Sequence, residues 1–498
     1  MTDHDNAWHP PHRTFSFPRI AIVVVLVIAF IGLLLLLMNR SSRTAWEKYK
    51  QELAARGESL NWKDYLPPPP PPDDENFAAT PLLKAVGVRG KVDPAVWARF
   101  QGLGLEGQLG KFGDWMNGRR AELKSIQVYV RGNANFALPQ PLGAPATDVL
   151  AALESVEDDL NELRQAARRP SAKLHLNYSD PSSSDIPNFV ALLELSQLLS
   201  LRASAELALA RPDDAFADLL IIHRLGDTVS SEPNLVSAMI CVAIRGLELQ
   251  AFWEGWLDGR WSEVQLAEFQ RLFDEVNLPA IVDRALRAER AGITTFVERS
   301  DNRTLATSLA FTSGGLPTWK NRLAEFAVRF SPHGWRYKNL LNYNQLMDRT
   351  YFGQWDETNH CVSPAKVQRA SMELQSELSS SNPLRLPFNY LASVGIPNFS
   401  RAFEVAVRNQ TALNQAALVC ALERYRHAHG QYPDSLDQLV PDFAQKLPHD
   451  LIGGQPLKYR RTAEAKFLLY SIGWNEKDDN GDPDKQKDDW VWPAVGNE

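Results

Sequence analysis

Hydrophobic and polar positions divide the chain into three regimes. The first is a block: residues 20–38 run nineteen long without a charge, enough to cross a bilayer. Behind it, over 41–57, the pattern turns amphipathic, with Trp46, Tyr49 and Leu53 on one side. That predicts a helix continuing from the span. The second regime, 77–397, has helical periodicity, clearest over 148–168, 188–210, 212–229, 234–257, 262–276 and 279–298. Pro212, Pro233 and Gly259 with Ser262 supply stops and caps at the joints. Short connections between long helices make antiparallel neighbours. Over 300–382 the pattern weakens, and 313–317 and 379–383 read as loops. This stretch is aromatic (Trp335, Tyr337, Tyr343, Tyr351, Phe352, Trp355), which suits core packing. The third regime starts with a helix over 403–429, free of Pro and Gly and stopped by Gly430. A short second helix is expected at 434–439. The period then changes to two, predicting strands at 456–461, 466–472 and 489–492.

The expected organisation is mostly α. A polar disordered tail (1–18) precedes a transmembrane helix (19–39). A juxtamembrane helix with a polyproline spacer follows (40–76), then a helical domain (77–397) and a small α+β domain with an antiparallel sheet (398–498). The six prolines at 67–72 favour polyproline II, spanning about 19 Å. A cleavable signal peptide would have a shorter apolar core and an A-x-A-like exit, so an uncleaved anchor is expected. Residues 201–210, the turn RPDDAFADLL and the next helix resemble one tetratricopeptide hairpin, with Ala205 and Ala215 where two helices approach closely. No second copy follows at a period of about 34, and a solenoid needs at least three.

Several pieces of the last hundred residues belong together. ALERYRHAHGQYP ends a long helix in G-x-Y-P; SLDQL and LPHD follow, then G-x-P-L-x-Y at 454–459 and LLYSIG at 468–473. This set resembles the soluble part of a major pseudopilin of type II secretion. The resemblance implies a helix packed on a small sheet and an extracytoplasmic setting. It does not extend to processing: the apolar segment opens as SFPRIAIVVV, without the Gly cleavage site or the Glu at the fifth mature position. The helical layout followed by ERYRHAHGQYP also looks like a group of large envelope proteins from planctomycete and verrucomicrobial bacteria.

Charge bears on location. Arg13 and Arg19 precede the span, while Arg40, Arg43, Lys48 and Lys50 follow it. A Lys/Arg count alone would leave the C-terminal side in the cytoplasm, but long domains translocate largely regardless of local charge. The pseudopilin resemblance implies a periplasmic C-terminal side, and hence a single-pass protein of a bacterial inner membrane. Net charge is −7, with a pI near 5.9, which argues against general nucleic-acid binding. Cys241, Cys361 and Cys420 are too few and too scattered for a disulfide framework or a zinc site.

The best candidate for chemistry is the loop NEKDDNGDPDKQKDD, 475–489. Calcium takes six to eight oxygens from carboxylates, amides and carbonyls in a flexible loop, and this one offers Asp478, Asp479, Asp482, Asp484, Asp488 and Asp489. The resemblance implies structural calcium here, with the first ligand on Asn475 and a later pair on Asp488 and Asp489. Asn475 is neutral where the family is anionic, and Asp478 or Asp482 would substitute. The alternative is a solvated acidic loop. His427 and His429 stand at i and i+2 and point apart. No G-x-S-x-G, H-E-x-x-H, Walker or Rossmann pattern occurs, and no catalytic or cofactor-binding residue is assigned. The function expected is interaction or scaffolding in the envelope with a protein partner, beside a secretion or pilus-like machine. An envelope enzyme with a site in the helical domain is the alternative, and no small-molecule substrate is implied.

Overall fold

The first helix, α1 (Phe17–Ala55), is continuous over 39 residues. Its two halves meet different surroundings. From Ile22 to Leu37 the large apolar side chains are open on every side, Val25 at 64% and Leu36 at 67%. Past Asn39 the same helix enters protein: Trp46, Tyr49 and Leu53 are buried. Trp46 Nε1 donates to Glu298 Oε1 at 2.7 Å, and its ring stacks on Tyr49. The two aromatics pack on the protein.

The computed structural model describes residues 17–101 and 113–493, except 135, 137, 180, 182–183, 313–318, 357, 379–387, 397–398, 464–465 and 483–488. After α1 come α2 (Pro81–Val86), α3 (Pro94–Gln101), α4 (Leu123–Gly132), α5 (Pro145–Leu153) and α6 (Glu157–Ala166). The long helices follow: α7 (Phe189–Ala208), α8 (Pro212–Ser230), α9 (Leu235–Leu257), α10 (Glu263–Asp274) and α11 (Leu278–Arg299). Then come α12 (Asn302–Thr312), α13 (Trp319–Arg329), α14 (His333–Thr350), α15 (Pro364–Leu378), α16 (Tyr390–Gly395) and α17 (Phe399–His429). The strands are β1 (Trp355–Asp356), β2 (Cys361–Val362), β3 (Lys458–Ala463), β4 (Lys466–Ser471) and β5 (Trp490–Val491). The chain is mostly helical, with a small antiparallel sheet and an N-terminal apolar helix.

Contacts group these elements into two units, each discontinuous in sequence. One draws on Met1–Glu58, Val297–Gln345 and Ser380–Ile396; the other on Ser59–Phe296, Leu346–Ser379 and Pro397–Glu498. In the first, α12 and α13 form a helical hairpin. In the second, α7, α8 and α9 pack pairwise, and Ala205 and Ala215 are fully buried. The joints use the expected caps. Asn234 accepts from the Ser237 N–H, and Ser262 and Gln265 form a reciprocal capping box.

The C-terminal stretch shares this core. α17 lies along α9 and α10, ending at Gly430, whose φ of 78° is left-handed. β3, β4 and β5 pair antiparallel, with Tyr459 opposite Leu469 and Tyr470 opposite Val491. Trp492 then inserts among Trp115, Phe252 and Trp256, and Trp253 Nε1 donates to the Pro493 carbonyl at 2.9 Å.

Three expectations change. The helix expected at 148–168 is broken by a 3₁₀ turn at Glu154–Val156. The second helix at 434–439 is one 3₁₀ turn, Leu436–Leu439, cut off because Pro441 has no N–H to continue it. The weakly patterned 300–382 region is largely helical, in α12 to α15, with a β1–β2 pairing between α14 and α15. The loops expected at 313–317 and 379–383 lie outside the described residues.

Candidate functional site

The acidic loop is built on β4. Gly481 has a φ of 66°, and a Cβ there would meet Leu468 and Tyr470 at 2.8 Å, so only glycine lets the loop fold back on the strand. This brings Asp489, 1% exposed, under the loop. Its carboxylate accepts the backbone N–H of Asp479 at 3.3 Å and of Gly481 at 2.7 Å. Burial, with Asp478 and Asp479 nearby, raises its pKa despite those donors. Asp478 accepts from the Tyr470 hydroxyl and the Asn480 N–H and pairs with Lys458 at 3.2 Å. Asn475 accepts from the Lys477 N–H and donates to Asp479. Asp482 is also partnered. Asp484 and Asp488 lie outside the described residues. Among the described residues no three carboxylate, histidine or cysteine side chains converge as a metal cage. The carboxylates of Asp478 and Asp489 are turned to donors of the protein itself. His427 and His429 are exposed at the end of α17, and His429 stacks on Tyr425.

Sequence reading missed a second cluster, between α8 and α9. α8 presents His223 and Asp227 one turn apart; α9 presents Arg245 and Glu248. Arg245 Nη2 donates to Asp227 Oδ1 at 2.6 Å, and Nη1 to Glu248 Oε2 at 3.0 Å and the His223 carbonyl at 2.9 Å. His223 Nδ1 lies 2.9 Å from Glu248 Oε1, and Arg224 Nη1 donates to Asp227 Oδ2. Arg245 fits against α8 because residue 226 is glycine: a Cβ there would lie 2.8 Å from its Cζ. Burial works to raise Glu248 and Asp227, but the facing cations hold both below the usual carboxylate range. Burial pushes the neighbouring Cys241 thiol up to about 11, making it inert.

A second buried layer joins α8 to α6 and α7. Asp218, fully buried, takes Arg164 Nη2 at 2.9 Å and Arg202 Nη1 at 2.6 Å. Burial raises its pKa against the pull of both guanidinium groups.

Two clefts reach the His223 cluster. One of about 870 Å³ lies beside α8 and α10 and is lined by His223, Arg224, Asp227, Glu268 and Arg271. The other, about 420 Å³, is lined by His223, Asp227, Arg245, Glu275 and Arg284. The charges are mutually satisfied: Arg271 pairs with Glu268 and Glu275, and Arg224 with Asp227. Such an arrangement fixes helices against one another. The signal available in sequence was the pair of charges at Arg245 and Glu248 inside a long, strongly apolar helix of the body. α9 is long and apolar enough to cross a membrane, yet it is mostly buried and internally ion-paired.

Comparison of the chain with protein-family models, with curated proteins and with solved structures found no match.

Proposed function

We propose that this chain is a single-pass membrane-anchored interaction or scaffold protein of a bacterial envelope. Its body would lie on the periplasmic side of the inner membrane, with a protein partner, beside a type II secretion or pilus-like machine. The observation that carries the reading is α1. An apolar half exposed on all sides suits lipid, and no other described residue covers it. The second half, buried along one face and tied by Trp46 to Glu298, joins the anchor to the unit that also holds α12 and α13. The paired charges of the α8–α9 cluster support a rigid binding body more than a poised catalyst. Orientation is tested by fusing alkaline phosphatase or a fluorescent protein to the C-terminus of the full chain. Phosphatase activity without fluorescence is expected; fluorescence without phosphatase activity would place the body in the cytoplasm and overturn the periplasmic assignment.

An envelope enzyme is the second reading, favoured by one observation: His223 and Asp227 line two clefts at once. A small molecule that raises the melting midpoint of the wild type but not of Asp227→Asn would favour it.

A further inference from the structure

The exposed face of α13 stands out in the unit that contains α1. Phe326 is 60% and Phe330 66% exposed, with ring centroids 4.6 Å apart. Val328, between them in sequence, is buried, so Phe326 and Phe330 face outward while Val328 faces in. In the sequence the same helical spacing runs back through Leu323 to Trp319. Arg322 and Arg329 are exposed on this helix, and the Arg329 guanidinium lies 6.0 Å from the Phe330 ring centre. Residues 299–338 hold seven Lys or Arg against two acidic residues, in a chain that is acidic overall.

The fold fixes the level of this face along α1. Four residues beyond Phe330, the Gly334 N–H donates to Asn39 Oδ1 at 2.5 Å. A Cβ on Gly334 would sit 2.8 Å from the Asn39 Cα and 2.9 Å from its N, so the start of α14 lies on the α1 backbone itself. Asn39 is the residue that follows the apolar run. Phe330 is therefore within about 14 Å, the reach of four extended residues, of the point at Gly334 where the chain meets the end of the apolar run. An interfacial helix buries its apolar face about 5–10 Å into the headgroup–acyl boundary and sets cations against anionic lipid.

We propose that α13 lies on the bilayer that α1 crosses, with Phe326 and Phe330 in the acyl boundary and Arg322 and Arg329 at anionic phospholipid headgroups. This rests on α1 being a membrane anchor. The test uses the full chain in nanodiscs containing phosphatidylglycerol, with Cys361→Ser as background. An environment-sensitive fluorophore is placed at Phe30→Cys, Phe326→Cys or Phe330→Cys in turn, and acyl-brominated lipid is the quencher. The proposal expects a loss of roughly half the emission or more at 326 and 330 as well as at 30, since all three then sit among acyl chains. It further expects weaker quenching at 330 when Arg322→Glu and Arg329→Glu are combined. Quenching at 30 with none at 326 or 330 would overturn the proposal, leave the anchor standing and assign the stripe to a protein partner or a second copy. No quenching at 30 would overturn both.

Discussion

At the scale of single residues, the body depends on polar groups that sequence alone leaves unmarked. Gly226 is the clearest. In a helix interior alanine is ordinarily better than glycine by about 1 kcal/mol, but here a Cβ would run into the Arg245 guanidinium. Gly226→Ala should therefore lower stability by about 1–2 kcal/mol, because overpacking outweighs propensity. Urea unfolding of the full chain in detergent measures this, and an unchanged or raised midpoint would contradict it. Glu232 gives a pH signature. Burial pushes its carboxyl up to about 7 from an ordinary 4.5, although the Tyr178 hydroxyl donates to it. The folded state thus holds the proton more tightly than the unfolded one. The cost to stability is absent below about pH 4.5, grows through pH 7 and is complete above it. Glu232→Gln keeps an acceptor for Tyr178 and should raise stability at pH 8 by about 2–3 kcal/mol, with little effect at pH 4. Melting at the two pH values tests this; equal effects at both would contradict it.

At the scale of elements, sequence and structure agree where periodicity and caps act together. Segments 188–210, 234–257 and 262–276 appear as α7, α9 and α10, with Asn188, Asn234 and Ser262 as their caps. The turn to strands after Gly430 was equally legible. The helices of the 300–382 region were not, and α14 shows why. Its asparagines are poor helix formers, yet Asn339 and Asn344 donate to carbonyls one turn back. Asn339 also accepts the Leu391 N–H, and Asn342 donates to Phe388. Partners remote in sequence override propensity there. The same holds for the candidate site. The acidic loop was visible as composition, but its folding back through Gly481 onto Asp489 was not. Likewise His223, Asp227, Arg245 and Glu248 meet only because α8 and α9 pack. The loop carries its own prediction. Losing two backbone donors' acceptor, Asp489→Ala should cost about 2 kcal/mol in chelator. If the loop takes up calcium, the wild-type midpoint rises with calcium concentration and the variant's does not. A midpoint indifferent to millimolar calcium would leave Asp489 a purely internal acceptor.

At the scale of the whole molecule, α1 joins the two ideas of an anchor and a body. Its outer half offers lipid an uninterrupted apolar surface; its inner half buries one face, through Trp46, Tyr49 and Leu53. A separable leader need not be built into the protein in this way. The measurement that bears most directly on this is made on membranes from cells expressing the full chain: extraction with alkaline carbonate, followed by intact-mass analysis of the protein. The account predicts that the protein stays in the carbonate-resistant pellet with the residues of α1 present in its mass. Release into the supernatant with the mass of a chain lacking the apolar run would contradict it.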